Sequence, residues 1–271
     1  MNTQETTKTA VHFTDSYLLN PTNPISVNLI GAGGTGSKVL TALLEINESL
    51  LALGHAGLQV RLWDDDIITT ANLGRQRFFE SETGLYKSVT LINRVNRCIG
   101  TNWKAETVKF EKDKFGRLPE NARATLTITC VDNVQARFGV AEILKETSHR
   151  RHYQDDPKYW LDFGNSQHTG QVLLSTIGTI KQPNSEKYQT VASLPMVTDE
   201  FGELLKQSEK EDNTPSCSLA EALQKQDLFI NGSLAQMGCD LLWGLLRYGM
   251  TEYRGFFHNL KDFRTHPIKV A

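Results

Sequence analysis

A glycine-rich turn between an apolar strand and an amphipathic helix constrains this fold more than any other feature of the sequence. The β-branched run Ile25–Ile30 predicts a buried strand, and the turn Gly31-Ala-Gly-Gly-Thr-Gly36 follows it directly. From Ser37 to Leu50, apolar residues recur at three- and four-residue steps, which predicts a helix. Glycines let the backbone approach a phosphate, and the N-terminus of a helix attracts negative charge. The unit therefore predicts a nucleotide site, with a turn that only allows close helix packing as the alternative.

Strands and helices alternate over the next hundred residues. Predicted strands lie at Leu58–Trp63, Ala105–Phe110 and Ala124–Val131, and a predicted helix lies at Tyr86–Cys98. Such alternation is typical of the α/β class, with a Rossmann-like, doubly wound, mainly parallel sheet that binds ligands at the carboxyl ends of its strands. Two further strands, Trp160–Phe163 and Gln171–Ile177, should form an antiparallel extension because their connection is too short for a helical crossover.

Composition and patterning divide the chain into four parts. Residues 1–24 form an N-terminal segment rich in Thr, Asn and Pro, and residues 25–178 form the nucleotide-binding domain. Residues 179–217 are polar and rich in Lys, Glu, Pro and Asn, which predicts a mobile crossover loop, longer than a compact domain usually carries unless it is functional. Residues 218–271 should form C-terminal helices, over Ser218–Leu228 and Ser233–Tyr248, and a hairpin that pack on the same domain.

The composition excludes several classes of protein. Lys and Arg number 29 against 31 Asp and Glu, so a net charge of -2 gives no basic field for nucleic acid. No apolar stretch approaches the ~20 residues that span a bilayer, and the first ten residues are too polar for a signal peptide, so we expect a cytoplasmic protein with no membrane partner. The four cysteines include no C-x-x-C pair, which excludes a zinc knuckle and a dithiol redox motif.

Charged and amide residues follow the second predicted strand. Asp64 ends that strand and fits a carboxylate that hydrogen-bonds a ribose, whereas Asp65 and Asp66 could equally be solvated turn residues. Two amides and two cations come next, namely Asn72, Arg75, Gln76 and Lys87. Cations that face a phosphate stabilise charge in nucleotidyl transfer, and hydride transfer has no such need. As a set, these residues favour ATP, although a surface salt bridge is the commoner fate of each one alone.

Together these motifs resemble the ThiF/MoeB/ubiquitin-activating adenylyltransferase family. The resemblance is carried, in order, by the glycine turn, Asp64-x-Asp66, Asn72-Leu-Gly-Arg75-Gln76, Gly84-Leu-Tyr-Lys87, Asp132-Asn-Val-Gln-Ala-Arg137 and Gly170-Gln-Val172. It implies that residues 25–178 are an ATP-binding adenylation domain. It also implies that the chain activates the C-terminal carboxylate of a ubiquitin-like protein as an acyl adenylate and releases pyrophosphate.

The resemblance gives each motif residue a role. The phosphates would be cradled by Gly31, Gly33, Gly34 and Gly36. Asp64 would hold the ribose and Asp132 the Mg²⁺ ion, with Asp66 and Asn133 among the cofactor-binding residues. The triphosphate would be surrounded by Asn72, Arg75, Gln76 and Lys87. A carboxylate that attacks the α-phosphorus brings negative charge to negative charge, so magnesium, Arg75 and Lys87 would act catalytically, and no general base is needed because the carboxylate is ionised at pH 7.

A cysteine follows the polar loop in a recognisable context. Pro215-Ser-Cys217-Ser-Leu219 resembles the P-x-C-T-L box that holds the thioester cysteine of ubiquitin-type activating enzymes. Ser218-Leu-Ala-Glu221 is a capping box, so Cys217 would lie at the positive end of a helix, where thiolate is favoured. The alternative is a half-buried free cysteine at a helix start. Cys98, Cys130 and Cys239 lie in helix or strand patterns and are expected in the core.

The remaining comparisons with the family are narrower. The segment Phe256-Phe-His-Asn-Leu-Lys261 resembles the ThiF-family component of the bacterial PRTRC gene system, whose members are thought to travel with a small ubiquitin-like protein. The resemblance implies a homodimer, and the apolar helix near Trp243 could supply dimer surface or core. Many relatives insert an N-terminal arginine into the partner's site, but the first arginine here is Arg61, and Arg77 is either a substitute or a surface residue. The zinc-binding cysteine pairs of many relatives are absent.

Two alternative functions and the role of one histidine remain open. A NAD-dependent oxidoreductase would fit the glycine turn alone but would leave Asn72 to Gln76 and Lys87 without a purpose. A non-catalytic ThiF-like scaffold would need none of Arg75, Lys87 or Asp132. His168 near the sheet edge could approach substrate, although an ordinary surface or core histidine is the simpler interpretation.

Overall fold

The computed structural model describes residues 8–74, 76–148, 156–208 and 226–271. The strands are β1 (Thr9–Phe13), β2 (Ile25–Ile30), β3 (Leu58–Trp63), β4 (Lys104–Glu106), β5 (Leu126–Thr129), β6 (Tyr159–Asn165), β7 (Thr169–Thr176), β8 (Tyr188–Thr190), β9 (Met250–Thr251), β10 (Tyr253–Asn259) and β11 (Arg264–Lys269). The α-helices are α1 (Ser16–Leu19), α2 (Gly36–Ala52), α3 (Lys87–Ile99), α4 (Val134–Ser148), α5 (Val197–Glu200), α6 (Gly202–Ser208) and α7 (Ile230–Tyr248). Within the described ranges, no helix combines the length and apolarity needed to cross a membrane.

The main sheet has eight strands in the order β11-β10-β7-β6-β5-β2-β3-β4. The five strands from β6 to β4 run parallel, and β7, β10 and β11 add an antiparallel extension. In the register of the central strands, Val27 lies between Val60 and Leu126. These central strands are almost fully buried, as expected of parallel strands covered on both faces. The α/β, doubly wound fold predicted from the sequence is confirmed.

Two apolar cores lie on the two faces of this sheet. One core packs α2, α3 and α7 against the strands and includes Leu43, Leu91 and Leu242. The other packs α4 and α5 against the opposite face and includes Leu144 and Trp160. Helix α7 packs its apolar side against the sheet in the first core. Trp243 is partly buried against this core, as the core alternative predicted, whereas Tyr248 at the end of the helix is exposed, so a dimer surface here stays a prediction.

A second, smaller sheet joins distant parts of the chain. Its order is β8-β1-β9, with β1 parallel to β8 and antiparallel to β9. The buried ring of His12 in β1 adds a hydrogen bond from Nδ1 to the carbonyl oxygen of Val191, at 2.7 Å, and burial lowers the pKa of that imidazole. The sequence pattern did not predict β1 or β8.

Element boundaries differ from the predicted ones at several positions, by most in the following three elements. The strand predicted over Ala105–Phe110 is only β4, Lys104–Glu106. The helix α7 starts at Ile230 rather than Ser233. Of the helix predicted over Ser218–Leu228, residues 218–225 lie outside the described ranges and residues 226–228 are not helical.

Candidate nucleotide site

A cleft of about 700 Å³ opens at the carboxyl edge of the parallel strands. Its walls come from the ends of β2, β3, β5 and β6 and from the starts of α4 and α7. The chain runs from β2 to β3 on one side and reaches β5 on the other side of β2. The cleft therefore lies at the topological switch point of the sheet, where doubly wound folds bind their ligands.

The glycine turn at the end of β2 forms the floor of the cleft. Gly31 has a φ of 96°, and a Cβ there would lie 2.7 Å from the carbonyl oxygen of Cys130. A Cβ on Gly36 would lie 1.9 Å from the carbonyl oxygen of Gly31, and one on Gly34 would lie 2.6 Å from Nδ2 of Asn231. Close packing thus explains these three glycines. Gly33 differs, because no atom lies within 4 Å of its Cβ position and it lines the cleft.

This difference predicts separable effects for two substitutions. Gly36→Ala should lower the free energy of unfolding by about 2 kcal/mol or more, because its methyl group overlaps the backbone. Gly33→Ala should change stability by less than ~1 kcal/mol but weaken magnesium-ATP binding at least tenfold, because the methyl group projects where the turn would approach phosphate. Urea unfolding and calorimetric titration of both variants check this. Equal stability of the two variants would contradict the packing argument.

Asp64 ties the end of β3 to the glycine turn. Its Oδ2 accepts a hydrogen bond from the backbone N of Ala32 at 2.6 Å, and its Oδ1 accepts one from the backbone N of Asp66 at 3.0 Å. Burial raises the pKa of Asp64, and the Ala32 N–H and the charge of Lys87 oppose that shift. The carboxyl group is thus held at the cleft wall, where a ribose would lie if phosphates occupied the turn.

Lys87, at the start of α3, reaches the cleft as one half of an ion pair. Its Nζ lies 2.7 Å from Oδ2 of Asp66, and its side chain is almost completely buried. The nearby Ser88 hydroxyl donates to the backbone oxygen of Asp64 at 3.0 Å. Asp66 therefore already balances the charge of Lys87, and a nucleotide phosphate would have to share that lysine with Asp66.

The segment between β3 and α3 carries three residues that were predicted to surround the triphosphate, and they differ in their relation to the cleft. Arg75 lies outside the described residues. Asn72 is not among the residues that line the cleft, and its Oδ1 instead accepts hydrogen bonds from N and Oγ1 of Thr69, at 2.9 and 3.1 Å. Gln76 does line the cleft, and its buried Oε1 has no hydrogen-bond partner among the described residues. Because a buried unpaired acceptor is costly, Gln76 is the amide of this segment that is placed to receive a ligand donor.

Asp132 and Asn133 follow β5 and also line the cleft. Asn133 Oδ1 accepts a hydrogen bond from the backbone N of Ala136 at 2.7 Å, which caps the start of α4, and Asn133 Nδ2 lies 3.3 Å from Asp132 Oδ1. The described residues contain no cluster of three or more His, Cys, Asp or Glu that could hold a metal ion. One exposed carboxylate fits Mg²⁺ only together with phosphate oxygens, which is how magnesium usually binds in nucleotide enzymes.

A buried ion pair supports the strand end that carries Asp132. Arg137 Nε lies 3.1 and 3.2 Å from the two carboxylate oxygens of Asp162, and both side chains are buried. Arg137 Nη2 donates to the carbonyl oxygens of Val131 and Phe163, at 2.9 and 3.0 Å. Arg137 belongs to a predicted motif, but Asp162 was not singled out. An acidic residue within the apolar run Trp160–Phe163 was the available signal.

A second missed group lies beside the glycine turn at the start of α7. Asn231 is 2% exposed. Its Oδ1 accepts hydrogen bonds from Oγ1 of Thr35 and Nδ2 of Asn165, at 2.8 and 3.1 Å, and its Nδ2 donates to Oε1 of Gln226 at 2.9 Å. This amide cluster joins the turn, the end of β6 and the segment before α7. No local sequence pattern predicts this amide cluster, because its members lie far apart in the chain.

The cysteines divide by environment. Cys217 lies outside the described residues. Cys239 is buried, which raises the pKa of its thiol to about 12 and confirms its predicted core position. The residue Cys130 lines the cleft and is partly exposed there. Its thiol group is turned away from solvent, and this burial raises the pKa of the thiol. Cys98 is exposed, so its predicted core position is wrong. It lies in the last turn of α3, whose inward side is formed by Val95 and Leu91.

Comparison with known proteins gives three kinds of match. The ThiF family matches residues 18–270. Ubiquitin-like modifier-activating enzyme 5 of Aedes aegypti is 28% identical over 134 residues, which cover 45% of this chain and 32% of that enzyme. The chain therefore spans about a third of the length of this curated relative. PaaA superposes with a TM-score of 0.58 and 13% identity, covering 91% of this chain and 73% of PaaA. E. coli MccB gives 0.58 and 13%, covering 94% of this chain and 63% of MccB.

Proposed function

Because the chain belongs to the ThiF family, we propose that it uses ATP to adenylate the C-terminal carboxylate of a protein or peptide and releases pyrophosphate. The observation that carries this proposal is the convergence of Gly33, Asp64, Lys87 and Asp132 on one cleft at the switch point. A structure of E. coli MccB with ATP has the same fold, with a TM-score of 0.54. An oxidoreductase would have no use for the Asp132 carboxylate or the Lys87 cation at the phosphate end of the cleft.

The geometry supports a division of labour among these groups. Gly33 leaves the backbone open to phosphate, and the start of α2 adds the positive end of a helix. Asp64 is oriented for ribose hydroxyls, and Lys87 offers its charge from the β3 side. Magnesium held by Asp132 would neutralise phosphate charge as the carboxylate attacks and pyrophosphate leaves. The substrate carboxylate attacks in its ionised form, so this step needs no protein base.

We further propose that the substrate is a ubiquitin-like protein. The Aedes aegypti relative is named for activating a ubiquitin-like modifier, while MccB has been solved with MccA. The narrower PRTRC assignment is a proposal that rests on the hairpin formed by β10 and β11.

We also propose a homodimer in the cytoplasm. Light scattering that detects only a 30.4 kDa species would contradict the dimer.

Calorimetric titration tests the nucleotide assignment. Magnesium-ATP should bind and NAD should not, because the cleft offers cation and metal-ligand chemistry at its phosphate end. Titration of ATP with and without magnesium separates the contribution of the metal. Tight NAD binding without an ATP signal would contradict the proposed adenylation and favour the oxidoreductase.

The thioester step is a separate proposal that concerns Cys217. If its thiol receives the acyl group, Cys217→Ala should retain pyrophosphate exchange but lose any reductant-sensitive conjugate with the substrate, because adenylation precedes thiol attack. Mass spectrometry of non-reduced reaction mixtures checks this, with Cys98→Ala as the control because Cys98 is an exposed thiol. A normal conjugate in Cys217→Ala would show that the adenylate passes directly to an outside nucleophile.

A further inference from the structure

A histidine and an aspartate form a close pair at the turn between β6 and β7. His168 lies in this turn, and Asp227 lies in the segment that leads into α7. His168 Nδ1 is 2.5 Å from Asp227 Oδ2, and each side chain is 36% exposed. Among the described residues, no group hydrogen-bonds His168 Nε2. The imidazole is therefore hydrogen-bonded through Nδ1, and its Nε2 is left available to another molecule.

Backbone contacts fix the pair from three directions. The backbone N of Asp227 donates to the carbonyl oxygen of Gln167 at 2.9 Å, and the backbone N of Leu260 donates to that of His168 at 2.8 Å. Asn165 and Asn231 join the same two segments through their side chains, at 3.1 Å. The imidazole is thus held between β6, β10 and the segment before α7, as a group with a defined orientation.

The pair lies on the acyl side of the proposed nucleotide site. At the carboxyl edge, the order of strand ends is β3, β2, β5 and β6, so Asp64, the glycine turn, Asp132 and Asn165 follow one another. Strands in a sheet are ~4.8 Å apart, which puts the end of β6 about 10 Å from the glycine turn, opposite Asp64. Asn165 and Gln226 line the cleft, and His168 and Asp227 follow them in the chain just beyond its lining. An acyl adenylate with its ribose at Asp64 and its phosphate at the turn would extend its acyl group toward the end of β6, which is the side of the cleft on which His168 lies.

We propose that His168, oriented by Asp227, is the general base for the second half-reaction, in which a thiol takes the acyl group from the adenylate. This inference rests on the proposed adenylation. The nucleophile's lone pair forms a bond to the acyl carbon, the bond from that carbon to the phosphate oxygen breaks, and AMP leaves with its electron pair. The nucleophile's proton passes to His168 Nε2 and then to solvent. Asp227 fixes the tautomer with the proton on Nδ1, which leaves Nε2 as the acceptor.

The decisive experiment supplies the adenylate directly. N-acetylglycylglycyl adenylate is given to the full chain with N-acetylcysteamine, a thiol that is mostly protonated at pH 7, and thioester and AMP are measured. His168→Gln should lower the protein-dependent rate about 100-fold, and Asp227→Asn should also lower it. With hydroxylamine, whose nitrogen is already neutral, His168→Gln should lower the rate less than about threefold, because no prior proton removal is needed. His266→Gln, at an exposed position on β11, is the matched control.

The outcomes separate this inference from the proposed function. Magnesium-ATP binding is measured for each variant, and its absence from the unmodified protein would contradict adenylation and the base together. Binding without any acceleration of thiolysis, or equal thiolysis by His168→Gln, would overturn the base alone. An equal loss with thiol and hydroxylamine would also overturn it, because it would show a positioning role.

A measurement on the unmodified protein guards against a variant that fails to fold. Diethyl pyrocarbonate should modify His168 at Nε2, and an acyl sulfamate analogue of the same adenylate should slow that modification at least fivefold. AMP, which lacks the acyl arm, should protect much less. Bound sulfamate without protection of His168 would overturn the proposed position of the pair.

Discussion

Asp132→Asn should reduce pyrophosphate exchange into ATP about a thousandfold, with a peptide carboxylate that supports exchange by the unmodified protein. Asp132 supplies the carboxylate at the phosphate end of the cleft, and the Asn133 side chain beside it is committed to capping α4. Loss of the proposed metal ligand would remove several kcal/mol of transition-state stabilisation, and ~1.4 kcal/mol corresponds to each factor of ten. The exchange of labelled pyrophosphate into ATP measures the effect.

The fold should not change in this variant, because Asp132 is not part of either core. Asp240→Asn is the control, since Asp240 is an exposed carboxylate on α7 away from the cleft. Its exchange rate should stay within about twofold of the unmodified rate. Exchange at the unmodified rate in Asp132→Asn would contradict the metal assignment and with it the proposed adenylation chemistry.

Asp162→Ala should lower the free energy of unfolding by about 3–5 kcal/mol. The substitution leaves the Arg137 guanidinium, with a 6% exposed side chain, without its buried counter-ion. It also removes the acceptor of Thr129 Oγ1, which lies 2.5 Å from Asp162 Oδ1. Urea unfolding followed by circular dichroism measures the change, and pyrophosphate exchange should fall as well because Arg137 holds the Val131 carbonyl next to Asp132.

An exposed ion pair provides the comparison for this result. Lys145 and Asp199 are 2.7 Å apart with about half of each side chain exposed, so Asp199→Ala should cost less than ~1 kcal/mol. A double variant, Arg137→Met with Asp162→Leu, should recover part of the stability lost in Asp162→Ala, because no charge is left unpaired. A cost below ~1 kcal/mol for Asp162→Ala would show that water or a neighbouring group compensates Arg137.

The central part of this fold could be predicted because its signals are local. The run Ile25–Ile30, the glycine turn and the helical period after Ser37 are each continuous in the sequence, and β2 and α2 coincide with the first and the last of them. The location of the site at the carboxyl edge of the sheet could be predicted from the topology rule, because the carboxyl ends of parallel strands lie at the same edge. The cleft accordingly contains Asp64, Lys87 and Asp132, which the sequence had already linked.

The rest of the site depends on contacts that sequence spacing does not encode. Asn231 reaches Thr35 across 196 residues, and Asp227 reaches His168 across 59. Asn72, predicted as a phosphate neighbour, has a local partner that motif spacing does not reveal, because Thr69 offers donors three residues earlier and the Asn72 side chain caps that turn. Polar residues at turns have such local partners before any ligand is considered.

The small sheet of β8, β1 and β9 has a consequence for how the chain reaches its native state. His12 hydrogen-bonds Val191, 179 residues away, and Thr14 Oγ1 donates to the carbonyl oxygen of Leu245, 231 residues away. During synthesis, β1 can therefore pair with β8 only after Thr190 has emerged, and with β9 only after Thr251. Contacts of this sequence separation close large loops and slow folding. The N-terminal strand should be among the last elements to dock, which leaves its exposed edge available to other chains during that interval.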